Sequence, residues 1–100
     1  MGDIKGEQRI RKLRERLNSL RAKGGIKSSE VESLAQALGR RKDARGKEPT
    51  WVNPGFPRLR PLAIPHHSSD LNKFTARGIL DQLEEDLEAL EELTRAEEEN

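Results

Sequence analysis

The stretch RRKDARGKEPTWVNPGFPRLRPLAIP, residues 40–65, decides the architecture. All five prolines of the chain lie in it, at positions 49, 54, 57, 61 and 65. Proline lacks an amide hydrogen and its ring clashes with the preceding helical turn, so no helix passes through this segment. The same missing donor excludes a long central strand. Short extended pieces remain. Thr50–Val52 read as one strand and Leu59–Ile64 as another, joined by a turn at Asn53-Pro54-Gly55.

Helical periodicity flanks this segment on both sides. In residues 7–22, EQRIRKLRERLNSLRA, the apolar side chains Ile10, Leu13, Leu17 and Leu20 form one stripe with Arg and Lys around the rest, and Gly24-Gly25 ends the pattern. Ser29 with Glu32 three residues on reads as a capping box, opening a helix that buries Val31, Leu34, Ala35 and Leu38 and stops at Gly39. Such a cap is worth about 1 kcal/mol. Thr75 reads as the N-cap of a last helix, with Ile79, Leu80, Leu83, Leu87 and Leu90 on one side, acids on the other, and a tail that frays. The expected order is helix, helix, short sheet, helix: an α+β fold.

One hundred residues, 32% hydrophobic and 37% charged, allow a single thin core. A partner or an oligomer contact can therefore be part of its stability. There is no cysteine, which excludes disulfides and Cys-based zinc sites. No run is apolar enough for a secretion signal or a membrane span, and a cytoplasmic location is expected. The net charge of +1 hides a division. Residues 1–65 hold 16 Lys/Arg against 7 Asp/Glu (+9), and residues 66–100 hold 3 against 11 (−8). Either the basic half meets an anionic partner or the two halves face each other.

Three features in chain order resemble the HicA-like toxins of bacterial type II toxin–antitoxin systems, over residues 28–83. They are a short helix ending in Leu38-Gly39, a basic segment with RGKEPTW at residues 45–51, and LAIPHHSSDLNKFTARGILDQL at residues 62–83. The last is similar to that family's strand, proline, histidine, turn, Thr-x-x-x-Ile-Leu pattern. The resemblance implies a helix–sheet–helix fold similar to a double-stranded-RNA-binding domain, mRNA cleavage without a metal, no cofactor, and neutralisation by a HicB-type antitoxin. It divides the chain into a basic helical extension (1–25), the α+β domain (26–95) and an acidic tail (96–100).

The resemblance also implies the site. The family's catalytic histidine follows a Gly-Ser in its hairpin, and the matching position here is Glu48. Cleavage through the ribose 2′-OH needs a base and an acid. A carboxylate serves as the base where its surroundings suit, so Glu48 is the candidate base and His67, or its neighbour His66, the candidate acid. His66 and His67 are also open to reading as a polar turn, and Glu48 as a solvated loop carboxylate. Arg40, Arg41, Lys42, Arg45 and Lys47 are candidate phosphate contacts, and Trp51 a candidate platform for an unpaired base. Trp51 is equally readable as the largest side chain of the core. The first helix either extends the RNA surface or packs its leucine stripe against the last helix or a second subunit. A non-catalytic RNA- or protein-binding relative is the alternative function, and a helical assembly protein driven by the charge division is a third.

Overall fold

Four apolar side chains at steps of three and four need a surface to bury against, and the long last helix provides it. In the computed structural model, which describes residues 4–43, 50–66 and 69–99, the elements are α1 (Ile4–Ala22), α2 (Ser28–Ala37), β1 (Arg41–Asp43), β2 (Thr50–Val52), β3 (Leu62–Ala63) and α3 (Lys73–Glu99). The fold is α+β, three helices with a small antiparallel sheet. Leu13 and Leu17 of α1 join Val31, Leu34, Leu62, Leu83 and Leu87 in one core cluster, with Ile10 and Leu20 packed at its margin. Burying each such leucine contributes about 1.5–3 kcal/mol. Thus α1 packs into the same core as the rest of the chain, the packing reading of the first helix.

The strands run in the order β1-β2-β3. β1 and β2 pair with Arg41 opposite Val52, Lys42 opposite Trp51 and Asp43 opposite Thr50. β2 and β3 pair with Thr50 opposite Ala63 and Trp51 opposite Leu62. Side chains alternate across a strand. The buried Trp51 and Leu62 therefore face the helices, and Arg41, Asp43, Thr50, Val52 and Ala63 take the other face.

Prolines shape the connection between β2 and β3. The Phe56 amide donates to the Asn53 carbonyl at 3.1 Å, closing the expected turn, and the Leu59 amide donates to Phe56 at 3.0 Å, closing a second. The second turn and Pro61 leave only Leu62–Ala63 of the expected Leu59–Ile64 strand.

The helix ends differ from expectation in instructive ways. α2 begins after Lys27, whose amide donates to Glu30 Oε1 at 3.0 Å. This is half of a capping box, since a lysine ammonium has no lone pair to return the bond. Ser28 is buried and its hydroxyl donates to the Pro65 carbonyl. At its other end α2 closes as the sequence suggests. Gly39 adopts φ 99°, its amide donates to Gln36 at 3.0 Å, and Arg40 N–H reaches back to Ala35 at 2.9 Å. The N-cap of α3 is Asn72, whose side chain accepts from Phe74 N–H at 2.8 Å. Asparagine caps better than threonine, and the helix starts at Lys73 with Thr75 inside its first turn. It then continues through Glu99.

Candidate nucleic-acid interface

The turn at Gly39 does more than end a helix, because it directs the next residue inward. Arg40, expected among the phosphate contacts, is 3% exposed. Its Nε donates to Asp86 Oδ2 at 2.7 Å and its Nη2 to Oδ1 at 2.8 Å, a bidentate pair. Its Nη1 donates to the carbonyls of Trp51 at 2.7 Å and Arg60 at 3.0 Å. Asn53 completes the cluster, donating to Leu38 O at 3.2 Å and to Asp86 Oδ2 at 3.3 Å while its own Oδ1 accepts from Gly55 N–H at 3.1 Å. A guanidinium held this way has no free edge for a phosphate. Arg40 is therefore removed from the interface and reassigned to the core.

Trp51 is corrected on the same ground. At 3% exposure its indole lies in the core cluster and offers no face to a base. Its Nε1 is buried without an acceptor among the described residues.

The remaining cations divide by environment. On β1, Arg41 and Lys42 are exposed, Arg41 on the open face of the sheet and Lys42 at its edge. Arg45, Lys47 and Glu48, in the hairpin loop, lie outside the described residues, as does His67. His66 is described and exposed, with Nδ1 3.7 Å from Glu32 Oε2 on α2. The structure thus places Arg41 and Lys42 side by side on β1 but on opposite faces of the strand, places His66 near α2, and leaves the Glu48–His67 relation undescribed.

Three acids of α3 pair with α1. Arg14 Nε donates to Glu91 at 3.1 Å, and Arg21 pairs with Asp81 at 2.8 Å and Glu84 at 3.3 Å. Seven residues forward on α1 correspond to seven back on α3, so the two helices run antiparallel, basic against acidic. Exposed pairs of this kind contribute little stability each, but they set which charges remain for a partner. Arg14 and Arg21 are thus engaged with α3, while Arg41 and Lys42 of β1 are exposed.

Sequence reading missed Asp86 and Asn53. A signal for Asp86 was present: it stands among Leu83, Leu87 and Leu90 on the apolar side of α3, three residues from Leu83, where a carboxylate requires a buried cation. Asn53 carried no such signal. Among the described residues no three His, Asp or Glu side chains group as metal ligands, and no helix is long and apolar enough to cross a membrane. Comparison with known proteins finds no match to a family model, a curated protein or a solved structure.

Proposed function

We propose that this chain is an RNA-binding protein of the HicA-like kind, an mRNA endoribonuclease that works without a metal and is neutralised by a HicB-type antitoxin. The observation that carries the reading is that Arg41 and Lys42 are exposed on an edge strand, while Arg14 and Arg21 of α1 are engaged by Asp81, Glu84 and Glu91 of α3. Phosphates supply the charge that such a pair lacks. The order from residue 28 onward, helix, three antiparallel strands, helix, agrees with the order that the resemblance implies.

In this reading β1 and the hairpin loop hold the RNA backbone. Glu48 removes the 2′-OH proton and His67 protonates the leaving 5′-oxygen. Glu48 precedes Pro49, which favours an extended backbone there. One observation favours the alternative of a binder without catalysis: His66 Nδ1 lies 3.7 Å from Glu32 Oε2, which gives this imidazole a neighbour on α2.

The two are separated by incubating the protein with mixed mRNA in EDTA, alongside Glu48→Gln and His67→Ala. Cleavage that both substitutions abolish supports the nuclease. Intact RNA with measurable binding supports the binder and returns the histidines to a turn.

A further inference from the structure

The leucine stripe of α1 is buried and Arg14 and Arg21 face α3, which accounts for two sides of the helix. A third side is cationic. Arg9, Lys12, Arg16, Ser19 and Lys23 follow one another at steps of three, four, three and four, so on the helical frame they form a single row. That row lines a groove between α1 and α2.

The groove consists of two hollows that share Lys12 and Arg16 as walls. One, of about 770 Å³, is lined by Lys12, Glu15, Arg16, Lys23 and Glu30, with the hydroxyls of Ser19, Ser29 and Ser33. The other, of about 530 Å³, is lined by Gln8, Arg9, Lys12, Leu13, Arg16 and Ala37, three cations and no carboxylate. Glu30 in the first hollow is already paired with Lys23. Arg16 donates to Ser33 Oγ at 3.0 Å and Arg9 to the Ala37 carbonyl at 3.1 Å, so both guanidiniums lie across the groove. Lys12 makes no ion pair among the described residues.

The position of the second hollow gives the row its meaning. Its wall Ala37 ends α2, and Arg41 follows four residues later, at most about 14 Å away along an extended chain. The α2 end of the groove thus leads by a short stretch of chain into β1. Along the row the charged tips and hydroxyl donors stand above a largely apolar lining, made by Leu13, Leu20, Ala37 and the lysine and arginine stems. Cationic tips repeated along a row, those of Arg9, Lys12 and Arg16, recognise a chain of phosphates, which carries one charge per unit.

We infer that the α1–α2 groove is a second RNA-backbone site, continuous with the β1 cations, so that one strand of RNA lies across both. This rests on the RNA-binding reading above. It gives α1 a role distinct from packing: one side is buried in the core, one is matched to α3, and one holds phosphate.

The test is lysine footprinting on the whole protein, with acetylation of Lys12 and Lys42 followed by mass spectrometry, free and bound to a mixed mRNA. Lys12→Gln/Arg16→Gln, with its fold checked by circular dichroism, is titrated in parallel. Protection of both lysines, and a salt slope of RNA affinity lowered by about 1.4 in the double variant, is the expected result. Protection of Lys42 alone with an unchanged slope overturns the groove and leaves the RNA-binding reading intact. Protection of neither overturns both. If a poly-glutamate peptide protects Lys12 and RNA does not, the groove is a protein site and the inference is wrong.

Discussion

Arg40 holds four parts of the molecule together: the end of α2 that precedes it, the Trp51 carbonyl in β2, the Arg60 carbonyl before β3, and Asp86 of α3. Its bonds to Asp86 and to the Trp51 carbonyl are buried, so the worth of the cluster depends on each of them being present. Asp86→Ala leaves a buried guanidinium without its counter-charge, and a loss of about 3–5 kcal/mol is expected in urea unfolding. A second prediction concerns Glu30. The Lys23 side chain and then the Lys27 backbone amide hold its carboxyl below the ordinary value of 4.5, against a smaller opposing effect of burial. A lowered folded pKa means that this stabilisation is present above the unfolded value and is lost as pH falls through the folded one. Thermal melts of the parent and Glu30→Gln should therefore differ at neutral pH and converge below pH 4.5. A difference that persists unchanged in acid would contradict the cap.

At the scale of elements, the sequence was most legible where periodicity and punctuation agree. The stripes of α1, α2 and α3, the stop at Gly39 and the proline-driven break into short strands all follow from local chemistry. The cap residues did not, because Ser29, Asn72 and Thr75 are all plausible caps and tertiary contacts choose among them. Ser28 is fixed by Pro65, and the neighbouring linker is fixed by Gly25, whose φ of 76° places a would-be Cβ 2.5 Å from Asp70 Oδ2. The burial of Arg40 and Trp51 was also illegible locally, since a basic run reads as surface until Asp86 supplies a partner from 46 residues away. The same elements predict the effect of removing α1. Residues 26–100 alone would expose the leucine surface that Leu13 and Leu17 cover, and should melt at markedly lower temperature or associate, as sedimentation would show. A stable monomer with an unchanged transition would mean that α1 is an appendage after all.

For the whole molecule, the charge division visible in the sequence has two consequences at once. Part of the basic half is matched to α3 through Arg14 and Arg21, and part, led by Arg41 and Lys42, faces solvent. Both alternatives that the division raised are therefore compatible, on different faces. Of the candidate site the basic run was legible in the sequence but its strand β1 was not, and Arg45, Lys47, Glu48 and His67 lie outside the described residues. RNA recognition by the sheet edge is the central claim, and it has a direct signature in salt. The measurement is RNA affinity against salt concentration for the parent and for Arg41→Gln/Lys42→Gln. Two lost phosphate contacts should weaken binding and lower the log–log slope by about 1.4 for single-stranded RNA. An affinity and slope equal to the parent's would contradict the claim.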